Sequence, residues 1–296
     1  MKPPKFHYRD PATVAETVGL LAEHGDDAKV LAGGQSLMPM LSMRLAYPEH
    51  LVDINGVAEL DGIRAENGGL RIGALTRHSA AEQSELVARA CPLITTGMPW
   101  IGHRAIRNRG TIGGSLAHAD PAAELPAIMT ALDATAIATS AGGTREIPLA
   151  EFFDMPLVSA LDPDELLTEI RVPRQPAGEG SALVELARRQ GDFAVAGVAA
   201  TLALRGDGTV ERARMVAFAV APVPVRLAAA EELLAGADPG GDAVEEAALA
   251  AARDISPTSD LHGTAEYRRS VTAELVRRAV AQAAADARAR AEGGPR

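Results

Sequence analysis

The chain has 296 residues, of which 47% are hydrophobic and 23% charged, so it is globular and long enough for more than one domain. Its formal net charge of −10 argues against nucleic-acid binding, which depends on basic side chains that neutralise phosphates. The single cysteine, Cys91, excludes an internal disulfide and an iron–sulfur cluster held by this chain alone, and it predicts a cytoplasmic protein.

The N-terminal segment alternates helices with short apolar strands. Its opening residues, MKPPKFHYRD, lack the apolar core of a signal peptide. Residues 10–25 then predict a helix that Asp10 caps and Gly25 ends. Two short strands follow in AKVLAGG and HLVDI, and the stretch between them has helical spacing, with Ser36 placed as its N-cap.

Two hairpins lie in the middle of the chain, and a linker follows them. The first hairpin turns at Asn67-Gly68, and the second covers TAIATSAGGTREIPL. After the strand ELLTEIRVP, the stretch PRQPAGEG combines two prolines with two glycines, which predicts a linker. Beyond it we expect three antiparallel strands and three Ala- and Glu-rich helices. No apolar run reaches the ~20 residues that a membrane-spanning helix needs.

These elements predict an α+β protein in two parts. The predicted boundaries are 1–174 for the front part, with subdomains of about 1–54 and 55–174, then 175–180 for the linker, 181–285 for a C-terminal α+β domain and 286–296 for a flexible tail.

Two glycine pairs stand out, in VLAGGQS (30–36) and TIGGS (111–115). Neither matches the GxGxxG dinucleotide turn, and the first lacks the lysine that a P-loop places after its second glycine. In each, bare backbone precedes a hydroxyl residue near a predicted helix start, an arrangement whose amide groups bind anions. The two pairs could therefore grip a diphosphate from two sides. Alternatively, one or both are tight turns between packed elements.

Charged residues near the second pair leave two further possibilities. The three arginines of HRAIRNRG, together with His103, favour a nearby diphosphate, although a solvated face or a subunit contact explains them equally well. His118 and Asp120 are too few to define a metal site, which generally needs about three or four ligands.

The residues around both pairs resemble a known family. LAGGQSLMPMLSMRLAYPEHLVDI and IRNRGTIGGSLAHADPAAELPA look like the two flavin-binding signatures of the medium, FAD-carrying subunit of molybdenum hydroxylases. This is the family of carbon monoxide dehydrogenase, xanthine dehydrogenase and the nicotine- and quinoline-type dehydrogenases. The resemblance extends to DPDELLTEIRVP before the linker, RRQGDFA after it and AEYRR near the C-terminus, so it covers nearly the whole chain.

The resemblance implies a fold and a set of residues that contact FAD. The fold is an α+β FAD-binding domain of the vanillyl-alcohol-oxidase (PCMH) type in two subdomains, followed by a C-terminal domain with a three-stranded antiparallel sheet and helices. The first glycine pair and Ser36 would wrap the pyrophosphate, and the second pair would take its other side and the ribityl chain. The implied FAD-binding residues are Leu31, Ala32, Gly33, Gly34, Gln35, Ser36, Leu37, Ile101, Gly110, Thr111, Gly113, Gly114, Ser115, His118, Glu124 and Leu167.

Some of these residues have individual roles by resemblance. Glu124 falls where the family often has an Asp that binds the flavin's sugar, and Ile101 and Leu167 fall at apolar contacts. Phe193 lies in a segment that the family places near the flavin, with core packing as the alternative. No catalytic residue and no metal ligand is assigned to this chain.

The chain departs from the family pattern at three places. Gln35 stands where the carbon monoxide enzymes usually have His, and Ser115 stands where they usually have Asn. The stretch LVELA also lacks a Lys that some relatives carry before the arginines matching Arg188 and Arg189. The first two departures weaken an assignment to carbon monoxide oxidation and favour hydroxylation of an organic heterocycle or an aldehyde.

The resemblance also implies a division of labour among subunits. Substrate would be hydroxylated at a molybdopterin cofactor on a large subunit, and electrons would pass through two 2Fe–2S clusters of a small subunit to FAD on this chain. From there they would reach an external acceptor. The subunits would form a dimer of heterotrimers, with no nucleic acid and no membrane span. Two alternatives stay open, a self-sufficient flavin-dependent oxidase or reductase, and a non-enzymatic nucleotide-binding assembly module.

Overall fold

The computed structural model of the chain describes residues 2–293. The N-terminal part of the chain forms a parallel sheet of three strands. The elements of this part are β1 (His7–Arg9), α1 (Val14–His24), β2 (Ala28–Leu31), α2 (Leu37–Met43) and β3 (His50–Asp53). Both outer strands, β1 and β2, run parallel to the central strand β3. Because β2 and β3 run the same way, the segments that follow them emerge at the same edge of the sheet.

The N-terminus of helix α1 is capped by Thr13. The Thr13 hydroxyl accepts a hydrogen bond from the Glu16 amide, and the Glu16 carboxylate accepts one from the Ala12 amide. This reciprocal pair fixes the helix start at Val14, so the predicted cap at Asp10 is wrong. Gly25 ends the helix with a φ of 48°, as its position predicts.

The second part of the chain is built on an antiparallel sheet. Its strands are β4 (Ile63–Glu66), β5 (Gly69–Gly73), β6 (Thr135–Ser140), β7 (Gly143–Pro148), β8 (Phe153–Met155), β9 (Val158–Ser159) and β10 (Leu166–Pro173). Five of them lie in the order β4-β5-β10-β6-β7, while β8 and β9 form a separate hairpin. Both predicted hairpins, β4–β5 and β6–β7, are confirmed. Asn67 and Gly68 turn the first with φ angles of 49° and 79°.

Six helices between β5 and β6 cover this sheet. They are α3 (His78–Gln83), α4 (Glu85–Ala90), α5 (Pro92–Gly97), α6 (Arg104–Arg107), α7 (Ile112–His118) and α8 (Glu124–Ala131). Ile112, Leu125 and Ile170 are fully buried in the core that the helices share with the sheet. Packing of Ile112 against this core fixes α7, whose first turn contains the second glycine pair.

The C-terminal part pairs an antiparallel sheet with three helices. Its elements are β11 (Gly180–Leu186), β12 (Ala196–Leu204), β13 (Val210–Phe218), β14 (Val225–Arg226), α9 (Ala228–Leu234), α10 (Ala243–Asp254) and α11 (Ala265–Ala291). The sheet order is β11-β12-β13-β14, so the expectation of three strands misses β14. With two residues paired to Val216 and Ala217, β14 is too short to show a strand periodicity in the sequence.

The segments at either end of this part are more ordered than expected. In the predicted linker, the Gln175 side chain is buried, accepts from the Leu93 amide and donates to the Ser181 hydroxyl. The predicted tail starts at 286, but α11 continues to Ala291, and within it the Asp286 carboxylate accepts a hydrogen bond from the Ser181 amide. Residues 294–296 of that tail lie outside the described residues.

The predicted domain boundaries stay predictions. Those at 54 and 174 fall between two of the three larger sheets, whereas the predicted start of the C-terminal domain at 181 lies one residue inside β11. None of the helices within residues 2–293 combines the length and the apolar character needed to cross a membrane.

Candidate functional site

The first glycine loop, residues 32–36, connects β2 to α2 and depends on both of its glycines. Gly34 has a φ of 69°, a backbone conformation that residues other than glycine rarely adopt. A Cβ on Gly33 would collide with the carbonyl oxygen of Arg109 and lie 2.9 Å from the Cα of Gly110. Any larger residue at position 33 would therefore push the first loop away from the second.

The amide groups of this loop have no hydrogen-bond acceptor in the part of the chain that the structure describes. Within residues 2–293, the N–H groups of Gly33, Gly34, Gln35 and Ser36 donate to no backbone or side-chain oxygen. The Gln35 side chain folds back and donates to the Gly33 carbonyl at 3.0 Å. Consecutive unpaired amides at a helix start form a nest for an anion, and this is the arrangement that a diphosphate fits.

Ser36 occupies the N-cap position of α2 without capping it. Its φ and ψ are −102° and −47°, and its hydroxyl makes no capping hydrogen bond. The predicted capping role is therefore wrong, because the helix-like backbone of Ser36 does not direct its hydroxyl to the amides of the first turn. The hydroxyl is left available to a ligand beside the four amides.

The second glycine loop, residues 110–115, uses its amides inside the chain. The Thr111 hydroxyl accepts from the Gly114 amide at 3.1 Å and caps α7. The amides of Ile112 and Gly113 donate to the carbonyls of Thr76 and Ala74, both at 2.9 Å, in the segment after β5. A Cβ on Gly113 would lie 2.5 Å from the Cβ of Ala74, so this glycine permits close packing rather than a strained turn.

A buried histidine supports the second glycine loop from below. His78 is 4% exposed, and its Nε2 lies 2.9 Å from the Thr111 carbonyl oxygen, so Nε2 carries the proton. Burial lowers the pKa of His78 to about 4, and nearby Arg107 and Arg77 add to this effect, while the hydrogen bond to Thr111 opposes it. The neutral ring is therefore the form that holds the loop.

The two glycine loops meet although about 80 residues separate them in sequence. Gly33 lies against Arg109 and Gly110, and a Cβ on Gly114 would be 3.7 Å from that of Ala32. The structure thus brings together the residues from Ala32 to Ser36 and from Gly110 to Ser115. Their combined surface has free amides on one side and a rigid, internally bonded wall on the other.

Three residues that the sequence did not single out join the loops. The Asn55 side chain donates to the Ala32 carbonyl at 2.8 Å, and its oxygen accepts from Arg77 Nη2 at 2.6 Å. Arg77 also donates to the Arg109 carbonyl. Asn55 itself is held by Asp53, which accepts from its amide and side chain. The signal in the sequence was the two polar residues at the end of β3, with Asp53 as its last residue and Asn55 two residues later, since β2 and β3 end at the same sheet edge.

The electrostatics of Asp53 fit this bridging role. Burial alone would raise the pKa of its carboxyl, but hydrogen bonds from Asn55 and from the Tyr8 hydroxyl hold the pKa below its ordinary value. Asp53 is therefore ionised at neutral pH and anchors Asn55 between the loops.

The remaining predicted residues lie at the sides of this site or in the core. Leu31 ends β2, Leu37 begins α2, and both are half-buried. Leu167 is buried in the core on β10, and Ile101 packs against the same core. These side chains flank or support the loops rather than adding hydrogen-bonding groups.

His118 is the last residue of α7, and Glu124 is the first residue of α8. Burial, with the charge of Asp120, raises the pKa of Glu124 to about 7. Burial and the adjacent Glu124 likewise raise the pKa of Glu185, on β11, to about 8. Burial also lowers the pKa of His118, although Asp120 opposes the shift. Among residues 2–293, no group of three or more His, Cys, Asp or Glu side chains is placed to hold a metal ion.

Comparison with known proteins places both parts of the chain in described families. Residues 4–175 match the family described as the FAD binding domain in molybdopterin dehydrogenase, and residues 181–283 match the CO dehydrogenase flavoprotein C-terminal domain. The 6-hydroxypseudooxynicotine dehydrogenase complex subunit alpha of Paenarthrobacter nicotinovorans is 43% identical over 96% of each chain.

Two solved structures share the whole fold. Carbon monoxide dehydrogenase from Hydrogenophaga pseudoflava is similar with a TM-score of 0.94 and 41% identity, covering 97% of this chain and 99% of the other. Quinoline 2-oxidoreductase from Pseudomonas putida 86 is similar with a TM-score of 0.91 and 37% identity, covering 97% and 99%. The mixed α/β fold, with a cofactor-binding part and a C-terminal part, is therefore confirmed.

Proposed function

The chain belongs to the family of FAD-binding subunits of molybdenum hydroxylases, and from this premise we propose that it holds FAD with the diphosphate on the first glycine loop. The observation that supports this most directly is the run of four amides, from Gly33 to Ser36, that no acceptor in residues 2–293 uses. A diphosphate would accept from these amides without needing a charged side chain. Gly33 keeps the loop in contact with Arg109 and Gly110, so the nest has a wall on its other side.

The rest of the site would orient the cofactor. Thr111, Gly113, Gly114 and Ser115 form the internally bonded wall, and Ile101 and Leu167 are the apolar contacts. The pKa of Glu124 is raised to about 7, so about half of its carboxyl groups are protonated at neutral pH, and this form can donate a hydrogen bond to a sugar oxygen. Leu31, Leu37, Gly110 and His118 complete the lining.

Bound FAD supplies an electron carrier that accepts electrons singly and releases them to another acceptor. This chain binds and positions FAD, and none of its residues is assigned as a general acid or base in the reaction. We propose that the electrons come from two 2Fe–2S clusters on a small subunit, which receives them from a molybdopterin cofactor on a large subunit. The complex would be a dimer of heterotrimers in the cytoplasm.

Two residues and two of the relatives support a proposal for the substrate class. Gln35 and Ser115 depart from the His and Asn usual in carbon monoxide enzymes. The similar 6-hydroxypseudooxynicotine dehydrogenase and quinoline 2-oxidoreductase are named for organic substrates that contain nitrogen. We therefore propose that the large subunit hydroxylates an organic heterocycle or an aldehyde.

Co-expression with the neighbouring genes, followed by purification through this chain, tests the proposal. We expect a yellow complex with stoichiometric FAD, a large chain that contains molybdopterin and a small cysteine-rich chain. A colourless chain that takes up no added FAD would overturn the proposal. A yellow chain that oxidises substrate without any partner would instead identify a self-sufficient flavin enzyme.

A further inference from the structure

A cationic surface forms where the FAD-binding and C-terminal parts of the chain touch. Gly102, with a φ of 51°, faces Gly191, with a φ of 85°. A Cβ on Gly191 would lie 2.8 Å from the His103 ring and 2.9 Å from the Gly102 carbonyl oxygen, so the two backbones are in direct contact. This contact joins the segments 101–109 and 187–193. The cationic rim, as we call their shared surface, comprises His103, Arg104, Arg109, Arg188 and Arg189.

The charge of the rim is not balanced by acidic partners among residues 2–293. All four arginines of the rim are exposed, and none makes an ion pair with a residue in the part of the chain that the structure describes. The fifth arginine of these segments, Arg107, is paired with Glu82 at 2.9 Å. The two segments together contain one acidic residue, Asp192. In a chain with a net charge of −10, so concentrated a positive surface attracts an acidic ligand.

The rim has the composition of a protein-docking surface. Phe193, in the rim's second segment, is 70% exposed, and Ile106, in its first, is 37% exposed. Exposed aromatic side chains among arginines are the residues that anchor protein partners. A small anion would instead need a recess that encloses most of its surface, whereas the rim's arginines project into solvent. The occupant that fits is an acidic protein surface.

The position of the rim associates it with the cofactor site. The carbonyl oxygen of Arg109, a rim residue, contacts Gly33 of the first glycine loop, and Ile101 begins the segment that carries Arg104. Permanent subunit interfaces are large and mainly apolar, while surfaces dominated by unpaired charge suit partners that associate and leave quickly. An electron acceptor that turns over at each cycle is a partner of the second kind.

We propose that the cationic rim docks an acidic one-electron carrier protein that takes electrons from this chain, an inference that rests on the proposed function. In each cycle, two-electron-reduced FAD loses two electrons and two protons. Two carrier molecules in succession take one electron each, a ferric haem becoming ferrous in the case of a cytochrome, and the protons pass to solvent. Membership of the family does not specify the external electron acceptor, and the rim points to an acidic one-electron carrier protein.

The test compares two cytochromes on the purified complex. The complex is reduced anaerobically with dithionite, freed of excess reductant and mixed with an acidic or a basic c-type cytochrome of similar potential at low ionic strength. We expect the acidic cytochrome to be reduced at least ~10-fold faster, and this preference to vanish at high salt. Faster reduction of the basic cytochrome would overturn the proposal.

Charge reversal then assigns the preference to the rim. Arg188→Glu with Arg189→Glu should slow reduction of the acidic cytochrome by at least ~10-fold. Binding of the oxidised acidic cytochrome, measured by interferometry, should weaken in parallel. The matched control, Arg253→Glu with Arg288→Glu, makes the same charge change at exposed positions on α10 and α11. It should stay within about twofold of the unmodified complex.

Equal losses in both double variants would show an effect of net charge alone and overturn the proposal. Loss of the partner subunits from the rim variant would make the rim a permanent interface, which also overturns it. A preparation without FAD or partner subunits would refute the proposed function itself, which the same absorbance spectrum and gel reveal.

Discussion

The two glycine loops look alike in sequence and differ in how their backbone is used. Both place a glycine pair at a helix start, the first just before α2 and the second in the first turn of α7. In the first, four consecutive amides from Gly33 to Ser36 have no acceptor within residues 2–293. In the second, the amides from Ile112 to Ser115 all donate to oxygens of the same chain. The first loop can bind an anion, while the second is a support for it.

Glycines in a pair can therefore be required for different structural reasons. Gly34 permits a left-handed backbone, and Gly33 permits contact between the loops. Gly113 permits packing on Ala74. The comparison predicts that changes in the first loop reduce FAD affinity and leave the fold intact, whereas changes in the second reduce stability first.

The largest effect is expected from Gly33→Ala. The new Cβ would collide with the Arg109 carbonyl oxygen, separate the loops and displace the amide nest. We expect FAD affinity to fall by at least ~100-fold, because several hydrogen bonds to a charged group are lost together. The measurements are the FAD content of the purified chain and the Kd from a fluorescence titration.

Gly206→Ala is the matched control for this variant. Its Cβ would meet nothing within 4 Å and its φ is not positive, so FAD affinity should not change. FAD retention by Gly33→Ala equal to that of the control would show that contact between the loops does not shape the site.

Acid should weaken the second loop through His78. The pKa of His78 is about 4 in the folded protein and about 6.5 when unfolded, so the unfolded chain binds a proton more readily between these values. The contribution of neutral His78 to stability is complete above pH 6.5 and is lost as the pH falls towards 4. The loss would reach on the order of 3 kcal/mol.

His78→Gln isolates this effect from other titrating groups. Glutamine can still donate to the Thr111 carbonyl but does not titrate. The difference in Tm between the natural chain and this variant should therefore shrink or reverse from pH 7 to pH 4.5. A difference that stays constant over this range would contradict the assignment.

A smaller effect is expected at the cap of α7. Thr111→Val removes the acceptor of the Gly114 amide, and should lower the free energy of unfolding by about 1–2 kcal/mol. Thr111→Ser keeps the acceptor and serves as the control. The free energy of FAD binding should change less than the free energy of unfolding. Titration with FAD and thermal unfolding of the same samples measure the two changes. The opposite ranking would mean that the second loop binds the ligand directly.

Asn55→Ala should affect the connection between the loops. It removes the donor to the Ala32 carbonyl and the acceptor for Arg77, so the first loop loses its lateral support. We expect FAD affinity to fall by about tenfold, which corresponds to about 1.4 kcal/mol. Asn108→Ala, at an exposed position two residues before Gly110, is the control. An unchanged Kd would show that Asn55 does not position the loop.

The sequence predicted the elements of this site better than their connections. Local signals sufficed where one segment determines its own conformation, as at the Asn67-Gly68 turn and at Gly25. They failed at Asp10, where Thr13 competes as a cap with the help of Glu16. They also missed β14, whose two residues form a strand only because β13 lies beside them.

The pairing of the two loops was an expectation from chemistry that the structure supports. What the sequence could not supply was which amides stay free, because the acceptors Thr76 and Ala74 come from a different segment of the chain. The roles of Asn55 and Arg77 were missed for the same reason. Their partners, Ala32 and Arg109, are 23 and 32 residues away, so no local pattern in the sequence indicates them.

The smallest effect, and the sharpest distinction between the loops, is expected from Ser36→Ala. Ser36 and Thr111 stand at equivalent helix starts, but only the Thr111 hydroxyl caps its helix. Loss of the Ser36 hydroxyl should therefore leave the Tm of the FAD-free chain unchanged and weaken FAD binding by about 3- to 10-fold, the effect of one hydrogen bond. Ser42→Ala, on the same helix, controls for the loss of a hydroxyl. If Ser36→Ala lowered the Tm as much as Thr111→Val does, both hydroxyls would be structural caps, and the first loop would lose its distinction as the ligand-binding one.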